Sequence, residues 1–392
     1  MSKDRSATEF RAGEPRTPAT TDEAKAPAGE PGGPAAQALQ PSNAWTRFWF
    51  TPISTTGMQC LRFGSGLLFL AWLVSFAGHQ VELFSLNGWL DRKALEEMAR
   101  QENLAPVPIG WSILYLAGDS VALFQALYWG SLAVLALFTL GVATRITGVL
   151  TWVIVVSFFA NPATSYEGDY LLGILAFYLM IGHLLVGQWH GNLSIADRIL
   201  GARDDFVFAR WLFPPGAAER PASCGANFMV RLMQIHFVII IVTSALHKLQ
   251  ISDWWSGVAL WYPLHSTFKT TAETLQRERP NANFTLFYLS LAQYVVLAWQ
   301  LCLPFFAWRP GRWWRGLLLG GAAIGWLGAY FLFQLPLFGP FVLLGCLSFL
   351  RPEEWELVKD AVRNGLRGAV KMKAAPVAKQ VAASSGKGNI KK

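Results

Sequence analysis

Charge is what this chain has least of. Only 15% of its 392 residues are Asp, Glu, Lys or Arg, against about 25% in a soluble domain. Cysteine is also scarce. Cys60, Cys224, Cys302 and Cys346 are all there are, three lie inside apolar runs, and none forms a CxxC pair. That argues against a disulfide framework or a cysteine metal site and leaves them as small apolar fillers. The signatures of soluble enzymes are missing: no HExxH, no Walker A loop, no GxSxG and no dinucleotide fingerprint. The six histidines are not spaced as metal ligands, so no metal is expected. No internal repeat and no separate soluble domain is visible. No early apolar core marks a cleavable signal peptide, so insertion is expected to rely on the first spanning helix.

Apolar and aromatic residues dominate instead. The chain is 53% hydrophobic, with 18 tryptophans and 27 phenylalanines, and its mean hydropathy is +0.32. Such a composition suits a protein solvated by lipid, with aromatic belts at the interfaces. Eight apolar runs of roughly spanning length follow one another: Thr55–Ala77, Ser120–Leu140, Ile146–Ala160, Asp169–Gly187, Phe228–Lys248, Asn283–Trp308, Arg315–Gln334 and Pro336–Leu350. The third and eighth are short. In lipid the backbone must satisfy its own hydrogen bonds, so these runs are helices. The predicted fold is all-α, a polytopic membrane bundle of about eight transmembrane helices. Residues 1–45 read as a disordered segment rich in Pro, Ala, Gly and charge, residues 46–352 as the membrane domain, and residues 353–392 as a basic tail.

The net charge of +8 does not indicate nucleic acid, because many of the basic residues sit where topology needs them, although Arg92, Lys93 and Arg100 fall in the first outer loop, where acids outnumber them. With the N-terminus in the cytoplasm, Arg145, then Arg198, Arg203, Arg210 and Arg220, then Arg309, Arg312 and Arg315, and finally the lysines of the tail all fall inside. An even number of spans with both termini cytoplasmic satisfies the positive-inside rule. The tail is expected either to lie near an anionic membrane surface or to be a plain solvated tail.

Ionisable groups inside a membrane are costly, so each is a candidate for function. On the fifth run, 100° per residue puts His236, Ile240, Thr243 and His247 on one face, with Ser244 and Lys248 on an adjacent strip. A polar stripe of this kind is expected to face the bundle interior, as a ligand surface or as a hydrogen-bonded seam. Lys248 ends that helix, either snorkelling to the interface or serving as a buried base. Asp169 and His183 share a face of the fourth run, and Asp169 falls at the same outer boundary as Lys248. Trp254 and Trp255 follow in a loop that could cap an outward-facing cavity. Gln234, Gln293, Gln300 and Gln334 add amides within apolar runs, and Arg62 adds a charge in the first.

The stretch Gln234–Leu260, QIHFVIIIVTSALHKLQISDWWSGVAL, resembles the signature of the HTTM (horizontally transferred transmembrane) domain, the membrane domain of vitamin K-dependent gamma-glutamyl carboxylase and its bacterial relatives. Gln234, the small pair Ser244-Ala245, Lys248, a tryptophan at 254 or 255, and Gly257 carry the resemblance. Asn161–Tyr178 and Leu61-Arg62-Phe63-Gly64 are similar to two further family elements. The resemblance spans roughly residues 50–352. It implies a bacterial cytoplasmic membrane, a quinone or hydroquinone as cofactor, Lys248 as the base that deprotonates it, and His247 as a neighbour that tunes that base. Two places depart from the family: the run Trp299-Gln300-Leu301-Cys302-Leu303-Pro304 stands where relatives tend to carry a glutamate before a proline, and Trp326 where they tend to carry histidine. The large soluble domain that follows the helices of the carboxylase has no counterpart in the roughly 40 residues after the last run, so propeptide-directed carboxylation is not expected.

Together these observations set three expectations. The first is a membrane protein that binds an apolar, quinone-like ligand between its helices through Lys248, His236, Thr243, Trp254, Trp255, Asp169 and His183, with lysine-dependent carboxylase-like chemistry. The second is a transport or export component whose path is the polar stripe. The third is a non-catalytic membrane assembly partner that docks through its basic tail to a protein still to be identified.

Overall fold

A computed structural model describes residues 43–86, 88–89, 97, 112–161, 167–186, 222–265, 270–335, 337–358 and 360–361. The N-terminal segment 1–40, the arginines at 198–220, and the tail lysines lie outside the described residues. Among the described residues the structure is helical, and its one β-type pairing is an isolated bridge between Ile53 and Ser223. In chain order the helices are α1 (Ala44–Phe50), α2 (Thr56–Val74), α3 (Gln80–Phe84), a 3₁₀ turn (Ile113–Ala117), α4 (Val121–Leu140), α5 (Thr144–Phe159), α6 (Glu167–Leu185), α7 (Cys224–Lys248), α8 (Ser252–Ser256), α9 (Trp261–Leu264), α10 (Ala272–Glu278), α11 (Ala282–Phe306), α12 (Arg312–Phe333) and α13 (Phe338–Leu347).

Among the described residues six helices are long and apolar enough to cross a membrane: α2, α4, α6, α7, α12, and α11 with the short segments leading into it. The two runs read as short stay short. α5 has 16 residues and α13 only 10, about 24 and 15 Å at 1.5 Å per residue, against a hydrocarbon core of about 30 Å. Both nevertheless pack antiparallel to their neighbours. The helix boundaries follow local chemistry. Ser120 Oγ caps α4 by accepting from the Leu123 amide, and Gly141 ends it in the left-handed region at φ 87°. Ser223 Oγ caps α7 in the same way through Ala226.

Two apolar cores share a wall. The larger joins α2, α4, α5, α6 and the first half of α7 through Met58, Phe69, Tyr128, Leu135, Phe158, Leu172 and Met229. The smaller joins the rest of α7 to α11, α12 and α13 through Phe237, Ile241, Leu303, Phe306, Leu318 and Cys346. α7 reaches both because Met229, Met233, Phe237, Ile241 and Ala245 form one buried ridge at four-residue spacing. Its start packs tightly on the end of α6. A Cβ on Gly225 would lie 2.8 Å from Leu185 Cβ and 2.9 Å from its carbonyl atoms, so only glycine allows this approach.

Polar bolts tie the cores at one end of the bundle. Gln234 Nε2 donates to the Ser348 carbonyl at 2.8 Å. Its Oε1 accepts from Arg231 and from the Trp308 indole, each at 3.0 Å. Arg315 grips Glu354 at 2.9 Å and donates to the Ala307 carbonyl. Arg145 donates to the Val186 carbonyl at 2.6 Å. Arg47, Arg309, Arg312 and Arg351 lie at this same end.

Candidate functional site

The opposite end of α7 carries Lys248. A lysine at a helix terminus ordinarily extends outward to water. This one folds back along its own helix. Its Nζ donates to Ser244 Oγ, one turn earlier, at 3.1 Å. It also donates to Gln300 Oε1 on α11 at 2.9 Å. The Trp254 ring covers it, with the centroid 5.2 Å from Nζ, a cation–π contact. Lys248 is half-buried. The helical angle explains the direction. Lys248 and Ser244 each lie about 20° from Phe237 on the wheel, so they continue the buried ridge of α7 rather than its outer flank.

Trp254 is delivered by a loop clamped onto α11. Gln293 Nε2 donates to the Trp254 carbonyl at 2.5 Å, and its Oε1 accepts from the Ala259 amide at 3.0 Å. Ser290 Oγ donates to the Gly257 carbonyl, and the Tyr294 hydroxyl to the Trp255 carbonyl, each at 2.7 Å. Gly257 makes the turn at φ 81°, and a Cβ there would stand 2.7 Å from Ser290 Oγ. Both the dihedral and the space demand glycine. Gly257→Val is therefore expected to release the loop and lift Trp254 from Lys248. Hydrogen exchange in the 249–260 peptide should accelerate at least tenfold, and unchanged exchange would refute the clamp.

The remaining candidates separate. Trp255 does not cover Lys248; it is 64% exposed, and its indole donates to the Leu249 carbonyl at 2.5 Å, bracing the loop. Thr243 and His247 are exposed, which corrects the expectation that their stripe lines the interior. That stripe lies about 100° from the buried ridge of α7. His236, twelve residues and about 18 Å from Lys248, bonds through Nδ1 to the Tyr178 hydroxyl at 2.8 Å. Asp169 and His183 are both 2% exposed. Asp169 lies at the Lys248 end of the bundle. His183 packs edge-on against Phe138, near the far end of α6 and about 28 Å along the bundle from Lys248, so it does not join that site. Among the described residues no group of three His, Cys, Asp or Glu comes together.

Sequence reasoning missed Gln300 as the partner of Lys248 and Gln293 as the loop clamp. The signal was present. The two amides lie seven residues apart on α11, within about 20° of one face, and an amide pair on one face of an apolar helix needs partners. Pro304 marks the same place, since it has no N–H to give the Gln300 carbonyl.

The fold defines a class, a helical protein with several helices apolar enough to span a membrane. Comparison with family models, with curated proteins and with solved structures finds no match for this chain.

Proposed function

We propose that this chain is a multi-pass membrane protein of HTTM type that binds an apolar, quinone-like ligand beside Lys248 and uses that lysine as a proton acceptor. The observation that carries this reading is the inward-folded ammonium, held between Ser244, Gln300 and the Trp254 ring. The indole offers a flat apolar face beside the lysine nitrogen, where a ligand hydroxyl would come within its reach. In the proposed step Lys248 first loses a proton to solvent; the neutral amine then takes the proton of a ligand hydroxyl, leaving the ligand oxyanion beside the ammonium so regenerated. The anion of a hydroquinone gives up electrons to dioxygen more readily than the neutral form does. Of the elements that carry the resemblance, Trp254 lies over Lys248, and Gly257 makes the turn that follows it. The likeness to carboxylase chemistry is proposed to extend no further than this deprotonation.

The same reading extends to topology. We propose eight membrane segments, with α5 and α13 as short ones, in a bacterial cytoplasmic membrane, and both termini on the cytoplasmic side. In support, the eight helices alternate in direction, and Arg47, Arg145, Arg231, Arg309, Arg312, Arg315 and Arg351 gather at one end. Native mass spectrometry of the purified protein with its extracted lipids tests the ligand claim. A stoichiometric quinone is expected on the parent protein and at least tenfold less on Lys248→Met. Equal loading of both proteins would remove Lys248 from the site.

A further inference from the structure

At the end of the bundle opposite Lys248, α7 gathers cations around one amide. Gln234 bonds to Arg231, to the Trp308 indole and to the Ser348 carbonyl. Arg309 follows Trp308 directly, and Arg351 comes three residues after Ser348. Three chain segments thus bring three arginines to one place. Arg351 lies near enough to Arg231 for the two like charges to repel. Nearby carboxylates are engaged elsewhere: Glu354 pairs with Arg315, and Glu356 accepts from Thr56. Among the described residues no carboxylate bonds to the side chain of Arg231, Arg309 or Arg351.

Arg231 is the member that needs an anion. Its Nη1 donates to Gln234 Oε1 at 3.0 Å, and the guanidinium sits over the Phe48 ring, 4.6 Å from the centroid. Both partners are neutral. Nε is buried without a partner, and Nη2 donates to nothing among the described residues. Nε–H and one Nη2–H form the parallel fork that takes two oxygens of a phosphate. Depth sharpens the need. Arg231 lies five residues before the centre of the 25-residue α7, about 7.5 Å along the axis. With α7 centred in a hydrocarbon core of about 30 Å, its Cα sits about 7.5 Å inside the boundary. A charge held there is costly unless it is answered. The side chain of a helical residue leans toward the helix N-terminus, here toward the nearer boundary, where phospholipid phosphates begin.

We propose that Arg231 and Arg351, with Arg309 beside them, seat the phosphate of an anionic phospholipid in the leaflet at this end of the bundle. The surroundings favour a lipid over a free anion. α1 is held on α7 by Asn227, which donates to the Phe48 and Trp49 carbonyls at 2.9 and 3.0 Å. Phe50 is exposed and stacks on Phe228, one turn before Arg231, at 6.1 Å, and Trp45 is exposed on the same short helix. These rings suit the interface and offer acyl chains an apolar face beside the cation. A free phosphate would have to shed its water against them. The ammonium of a zwitterionic headgroup would meet Arg351 and Arg309, so the fitting headgroup carries no cation of its own. The seat is independent of the Lys248 site.

The test uses the full chain in neutral detergent, with native mass spectrometry after addition of phosphatidylglycerol or of phosphatidylcholine with the same chains. One phosphatidylglycerol is expected on the parent protein, and at least fivefold less phosphatidylcholine. Arg231→Met and Arg351→Gln should each lower phosphatidylglycerol retention at least fivefold. Arg351 is exposed, so a loss there at an unchanged lipid-free Tm separates a lost contact from a lost fold. Lys248→Met should retain the lipid like the parent. So should the combined tail variant Lys371→Gln, Lys373→Gln and Lys379→Gln, which removes more charge than either arginine change. The proposal is overturned by equal retention of phosphatidylcholine or by parent-like retention in either arginine variant. It is also overturned by an equal loss in the tail variant, which would mark diffuse surface charge, or by displacement with excess inorganic phosphate, which would mark a free-anion site.

Discussion

Replacing Gln234 with leucine should destabilise the protein by about 3 kcal/mol or more. One amide there serves three others. Its nitrogen donates to the Ser348 carbonyl beyond α13, and its oxygen accepts from Arg231 and from the Trp308 indole. Gln234 is buried. Leucine keeps the volume but strands the three groups, each at a desolvation cost of about 1–3 kcal/mol when buried, partly recovered by relaxation. The junction sits where α7 hands over from the larger core to the smaller, so its loss should loosen α11, α12 and α13 against the rest. Thermal unfolding in detergent would show a lowered Tm. Gln293→Leu is the control. It releases only the loop over Lys248 and should leave the global transition nearly in place. A Gln234→Leu protein as stable as its parent would mean that packing alone joins the two cores.

The membrane class, and the helices to within a few residues, are legible in the sequence because lipid imposes a single rule: long apolar stretches closed by their own hydrogen bonds. Thus α4, read as Ser120–Leu140, begins at Val121 behind its serine cap, and α7 ends at Lys248 as read. Which way each helix turns is far less legible. In water, apolar residues mark the inner face. In lipid, Ile239 and Phe237 are equally at ease, yet one is exposed and the other buried. The placement of Thr243 and His247 failed for that reason. The ridge that decides the rotation is Met229–Met233–Phe237–Ile241–Ala245, and its spacing is visible only once α6 and α13 are seen packed against it. Ser244 and Lys248 could be read as one strip from the helical angle alone. Gln300 could not be joined to them, because nothing in a single sequence aligns α11 with α7.

Lys248→Arg separates holding a ligand from taking its proton. Arginine keeps the positive charge and can donate to Ser244 and Gln300, but it does not deprotonate in proteins. If Lys248 acts only as a cation beside the ligand, the arginine protein should bind and turn over like the parent. If Lys248 accepts the proton, binding should stay within about threefold while turnover falls by about 10²–10⁴, the usual contribution of a positioned base. Oxygen uptake driven by a reduced alkyl-naphthoquinol measures turnover, and equilibrium retention of the same compound measures binding. Lys248→Met should lose both. The decisive comparison is the ratio of the two losses in the arginine variant, because a fold defect lowers binding and turnover together, whereas loss of the acceptor lowers turnover alone. Turnover in Lys248→Arg equal to that of the parent would rule out proton transfer to this side chain and leave the Trp254-capped ammonium as a binding contact.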